Sequence, residues 1–162
     1  MLKKILLCAV LAFTVGTAFA KNFELPEKSP VLSVNIPDSW KPEEIEKGVH
    51  AQSPDDGVYL SIESARSEKG MDAILKSTFE MLEEHKVVIK QDSQKSNKFE
   101  LAGAEAEELT FTGKDEDGAA SISITIVPIG KSVFIITYWA TTEKAEKNQA
   151  AINKIVKSMK QL

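Results

Sequence analysis

The sequence predicts an α+β domain: an antiparallel β-sheet of about six strands sandwiched between helices. Three observations carry this. Apolar residues alternate at period two in several short runs. Two segments switch to the helical period, and they follow blocks of strands rather than alternating with them, which favours hairpins over βαβ units. The run Val133 to Ala140 is apolar at both parities, as expected of a strand buried on both faces. The simplest packing puts one helix on each side of that strand.

Along the chain, Lys21 to Pro30 is polar, carries two prolines and reads as a lead-in segment. Leu32, Val34 and Ile36 alternate with Ser33 and Asn35 as a first strand, ended by Pro37-Asp38-Ser39 because proline cannot donate to a ladder. A polar loop runs from Trp40 to Lys47. Val49 and Ala51 mark a short strand, and Ser53 to Gly57 is a turn by composition. Val58, Leu60 and Ile62 mark the next strand. Met71, Ile74, Leu75, Phe79 and Leu82 then place one apolar stripe on a helix over 71–85. Val87 to Ile89 is β-branched and strand-like, and Gln91 to Asn97 reads as a loop. Leu109 and Phe111 share one face of a strand over 104–112. Asp115-Glu116-Asp117-Gly118 is a hairpin signal, since Asp-Gly takes the positive φ of primed turns. Ile122, Ile124 and Ile126 alternate with Ser121, Ser123 and Thr125. After the two-faced strand, Thr141 or Thr142 caps a last helix whose stripe is Ala145, Ile152, Ile155, Val156 and Met159. Lys157 and Lys160 suit its negative end.

The N-terminus carries its own signal. Lys3 and Lys4 precede an apolar run from Ile5 to Val15, and Ala18-Phe19-Ala20 fits a small-x-small cleavage site. The run is shorter than the roughly 20 residues that span a bilayer. Residues 1–20 are therefore expected to be a signal peptide, 21–30 the lead-in and 31–162 one domain, periplasmic or secreted after cleavage near Ala20. Cys8, the only cysteine, would leave with the leader, so the mature chain could use neither disulfides nor thiolate chemistry. Removing Lys3 and Lys4 from the 20 basic residues leaves 18 against 24 acidic ones, a balance of −6. That balance, with Arg66 the single arginine, argues against nucleic acid and anionic membrane surfaces as partners.

Catalytic constellations are absent from the pattern. His50 and His85 share no ligand spacing. Asp55 and Asp56 lie near His50 in sequence and could hold a cation if the turn folds back, though turns use aspartate anyway. Asp115, Asp117 and Gly118 lack the remaining acids of a calcium loop. Glu105, Glu107 and Glu108 read as a solvated or edge-guarding acidic strand. Ser121, Ser123 and Thr125, with Tyr59 and Ser61 nearby, could floor a ligand groove, but plain solvent-facing strand is the preferred reading. No Gly-x-Ser-x-Gly elbow frames a serine. Trp139 reads as core. Trp40 could mark a contact surface, although plugging the sheet end is favoured.

Ile36-Pro37-Asp38-Ser39-Trp40 after a first strand resembles the apolar-Pro-x-Gly-Trp opening of the PsbP-like family, with Ser39 where the family usually has glycine. The layout that follows also resembles it: a helix, Gly103 before a strand, a hairpin, an aromatic-rich strand and a closing helix with Ser158-Met159, where the family usually ends in Ser-Phe. The likeness covers roughly Val31 to Met159 and includes small exported bacterial proteins of the DcrB type. It implies an α/β/α sandwich. Members range from a photosystem subunit to a partner of a nuclear-transport GTPase, so the theme it implies is protein binding, with no general catalytic residue. The expectation is thus a non-enzymatic accessory domain of the cell envelope that binds an envelope protein and uses no cofactor. The second expectation is a small-ligand or metal carrier. The candidate binding residues are Trp40, His50, Asp55, Asp56 and Tyr59, with no catalytic or metal-ligating set.

Overall fold

The computed structural model describes residues 19–162. The expected leader, Cys8 included, lies outside the described residues except for Phe19 and Ala20. The elements are β1 (Ala20–Leu25), β2 (Leu32–Pro37), β3 (Glu43–Ile45), β4 (Gly48–Gln52), β5 (Val58–Ala65), α1 (Glu68–Glu84), β6 (Val88–Ile89), β7 (Lys95–Leu101), β8 (Ala104–Asp115), β9 (Gly118–Ile129), β10 (Ser132–Thr141), α2 (Thr142–Ser158) and β11 (Lys160–Gln161).

Eight strands form the main sheet in the order β3-β4-β5-β10-β9-β8, with β6 and β7 both paired to β8, and all pairings are antiparallel. A second sheet of three has the order β1-β2-β11. The expected six strands are therefore too few, but the class stands. β10 is central, as its two-faced apolarity predicts: it pairs with β5 and β9, and Phe134, Ile135, Ile136 and Thr137 are all buried.

The two faces of β10 serve different helices. Ile135 joins Ala65, Ile74 and Ile124 under α1. Phe134 and Ile136 join Val34, Ile36 and Ile155 in the larger core beneath α2 and the small sheet. Burying these residues is the main force holding the layers together, at about 25 cal/mol per Å² of apolar surface.

Several further expectations need correction, among them the polar loop over 40–47, which contains β3. The lead-in is a strand: Phe23 and Leu25 are buried, and they pair with Val34 and Leu32. Its charged alternate positions face outward, which disguised it as a loop. The loop expected over 91–97 gives way to β7, whose Lys95, Ser96, Asn97 and Lys98 are all exposed. An edge strand needs no apolar alternation where neither side is covered. α1 starts three residues early, because Ser67 accepts a hydrogen bond from the Gly70 amide at 3.1 Å and caps it. Its stripe runs Ile74, Thr78, Leu82, and Phe79 stands 44% exposed. Thr78 meets Thr137 across the interface at 3.4 Å between hydroxyl oxygens.

The β8–β9 hairpin forms by a different device from the one expected. Glu116 and Asp117 are not in the left-handed region; the Asp115 carboxylate instead accepts from the Asp117 and Gly118 amides at 2.9 and 3.1 Å. The positive φ of 130° falls on Gly118, where a side chain would be strained.

Candidate functional site

The five residues singled out in the sequence do not converge on one site, although Tyr59 lies beside His50 and lines a small pocket with Asp56 and His85. Trp40 ends a 3-10 turn, Asp38–Trp40, and is 2% exposed within the larger core, so it plugs the fold and offers no contact surface. His50 and Tyr59 sit on the α1 face of β4 and β5, with ring centroids 6.1 Å apart edge to face. His50 Nε2 lies 3.1 Å from a Glu43 carboxylate oxygen. Burial pushes the nearby Glu63 carboxyl up, against the opposing pull of Lys47 and His50. Asp56 is exposed and pairs with Lys41 at 3.3 Å. Asp55 lies elsewhere, under α2. Among the described residues, no three His, Cys, Asp or Glu side chains gather as a metal-ligand group. His50→Ala is expected to change unfolding free energy by less than about 0.5 kcal/mol in urea denaturation, since its one polar partner is exposed.

Asp55 is a structural tether. Its carboxylate accepts from Ser53 Oγ at 2.7 Å and Asn148 Nδ2 at 3.1 Å, and it faces Lys147 and Lys144 at 3.1 and 3.4 Å. The Ser53 hydroxyl bond first, then Lys147, Asn148 and Lys144, hold its carboxyl well below the ordinary 3.8, with burial opposing them. Since the folded value is the depressed one, its contribution is present above 3.8 and is lost as pH falls through the folded value. Asp55→Ala is expected to cost about 2 kcal/mol near neutrality. In strongly acidic solution the variant and wild type should converge, which urea melts at several pH values would check.

An opening of ligand size lies along α2. A cleft of about 530 Å³ separates α2 from the β7–β8–β9–β10 part of the sheet, within the usual range for ligand sites. Ala145, Ile152 and Val156 of α2 form an apolar wall, with Gln149 among them. Thr110, Ser121, Ser123 and Thr125 form a floor of hydroxyls, flanked by Phe99 and Tyr138. The strand registers explain this: Ser123 pairs with Thr110 on one side and Tyr138 on the other, so their side chains share one face. Ile122 and Ile124 of β9 instead pack in the α1-side clusters. Burial raises the Tyr138 phenol above its ordinary value, which keeps it a neutral donor.

The alternation of Ser121, Ser123 and Thr125 is therefore a groove floor rather than plain solvent-facing strand. Tyr59 and Ser61 are not part of it: they pair with Trp139 and Thr137 and face α1. Glu108 does line the cleft. Glu105 and Glu107 face away and are held by β7, through Lys98 at 3.2 Å and Ser96 at 2.8 Å. They guard no edge, because β7 covers it.

No protein-family model matches the chain, and no curated protein sequence does. Solved structures do resemble it. Cyanobacterial PsbP (CyanoP) from Synechocystis sp. PCC 6803 superposes with a TM-score of 0.58 at 8% identity, over 92% of this chain and 96% of that one. The chain has the PsbP-like fold. A Bacteroides thetaiotaomicron VPI-5482 protein gives a TM-score of 0.52 at 15% identity, over 81% of this chain and 45% of its own. LpqN, involved in cell envelope biogenesis of Mycobacterium tuberculosis, gives 0.50 at 14%, over 88% and 91%.

On this PsbP-like frame, the residues that carried the resemblance are structural. Trp40 fills the core. Ser158 ties α2 to β2, its Oγ accepting from the Asn35 amide at 2.9 Å and donating to the Ile155 carbonyl at 2.6 Å. Met159 is buried. The cleft of this PsbP-like domain is lined by other positions, above all Tyr138 and Gln149, which the sequence pattern did not single out, together with Thr125 of the hydroxyl run. The available signal was the run of hydroxyls opposite an apolar helix stripe.

Proposed function

We propose that the protein is an exported, non-catalytic binding domain of the cell envelope, and that it holds its ligand in the cleft between α2 and the hydroxyl-bearing sheet face. The cleft itself carries this reading: it is a cavity with an apolar wall and convergent polar groups, and neither Asp55 nor the buried Trp40 lines it. The leader pattern of residues 1–20 and the envelope role of LpqN support the compartment. Cleavage after Ala20 would remove only the Ala20–Pro37 pair from the β1–β2 ladder and leave Phe23 and Leu25 in place. A protein partner gripping Trp40 is disfavoured, because that side chain is out of reach.

The test has two parts. N-terminal sequencing of the protein from its host's envelope should begin at Lys21; an intact Met1 would refute export. Native mass spectrometry of the same preparation should show a bound species on wild type that is missing from Ser123→Trp, a variant that fills the cleft. Each protein at the mass of its own bare chain, with no bound species on either, would overturn the binding reading.

A further inference from the structure

We infer that the cleft takes a short, uncharged saccharide, an assignment that rests on the binding reading above. Charge narrows the ligand first. Glu108 and Lys95 are the only ionisable acid and base lining the cleft, one of each sign. The single arginine is spent elsewhere, donating to the Lys28 carbonyl at 2.9 Å. A phosphate or carboxylate would find no guanidinium fork, and a cation would find one carboxylate already offset by a lysine.

The floor narrows it further. Thr125 is only 6% exposed and lines the cleft, yet its hydroxyl takes part in no side-chain hydrogen bond. No buried side-chain polar atom among the described residues lacks a partner, so this hydroxyl opens into the cavity. It is an unpaired polar group, held in a mostly buried residue and aimed at the ligand space. Ser123, two residues along β9, and its partner Tyr138 on β10 line the same face, while Thr125 itself pairs with Ile136 and Glu108. Laying a hydrocarbon chain over these groups would strip them of water and give nothing back. An extended peptide gains its affinity from a free strand edge, whereas the floor is a sheet face whose β8, β9 and β10 backbones are already paired.

A sugar ring matches both walls at once. Its hydroxyls replace water on Ser123, Thr125 and Tyr138. Its C–H faces lie against Ile152 and the rings of Phe99 and Tyr138, where positively polarised hydrogens meet the negative aromatic face. The cavity is large enough for more than one ring.

The experiment is an amide NMR titration of the 21–162 chain with maltotriose, cellotriose and chitotriose, each up to millimolar concentration, and separately with laurate as a hydrocarbon probe. At least one trisaccharide should give saturable shifts confined to 121–125 and 145–156. Thr125→Val keeps the shape and removes the hydroxyl; it should weaken that sugar about fivefold or more and leave laurate no weaker. Tyr138→Phe serves the same purpose should Thr125→Val not fold. Shifts from laurate alone would overturn the saccharide assignment and leave the cleft as a binding site. Sugar binding that both variants leave unchanged would also overturn it. Silence from every probe would remove the assignment and the binding reading together.

Discussion

Replacing Ile135 with aspartate is expected to unfold the domain. Ile135 is wholly buried on the α1 side of the central strand, packed with Ala65, Ile74 and Ile124. Its cross-strand neighbours are Glu63 on β5 and Ile126 on β9. A new carboxylate would find no cation in that cluster and would sit opposite Glu63, whose own carboxyl burial already pushes up. Desolvation and like-charge repulsion then act together. The expected loss exceeds about 4 kcal/mol, a large share of the roughly 5–15 kcal/mol that holds a domain of this kind. Far-ultraviolet circular dichroism in a urea series would read it directly. Ile135→Val, as a control, should cost about 1 kcal/mol. An unchanged midpoint for the aspartate variant would mean that β10 does not have its α1 face buried.

Trp40→Ala should be nearly as damaging, with a loss of about 3–5 kcal/mol from the cavity left in the larger core. The indole closes the end of the β2 layer and is almost inaccessible. The sign of this result separates two roles. A tryptophan kept for binding a partner would be dispensable for folding, and its removal would leave the thermal midpoint in place. A plug cannot be removed without lowering it.

Much of this fold could be read from periodicity, because periodicity reports which side of an element meets apolar neighbours. β10 is legible since both of its sides do. β5 and β9 are legible since one side does. The pattern fails where that correspondence fails. β7 is an edge strand with four exposed residues in a row, so nothing in Lys95 to Lys98 repeats at period two. Phe79 fits the helical stripe by type, but α1 is rolled so that Thr78 faces Thr137, a contact between hydroxyls that hydrophobicity does not register. The cleft is the same problem in another form. Ser121, Ser123 and Thr125 look solvent-facing because their face is wetted, and a single strand pattern cannot tell open water from a groove roofed by a helix 20 residues later. The candidate residues His50, Asp55 and Asp56 were drawn together by proximity in the chain, whereas β4 and the following turn send Asp55 under α2, away from His50, and leave Asp56 beside Tyr59.

Both ends of α2 are anchored. Near its start, Asn148 and Lys144 are fastened to Asp55, and at its finish Ser158 is clasped to Asn35 of β2. The helix is thus a fixed beam rather than a hinged flap, and the mouth beside it keeps one aperture. On the binding reading proposed above, a guest exchanges without waiting for the host to rearrange, so exchange should be set by diffusion and contact strength.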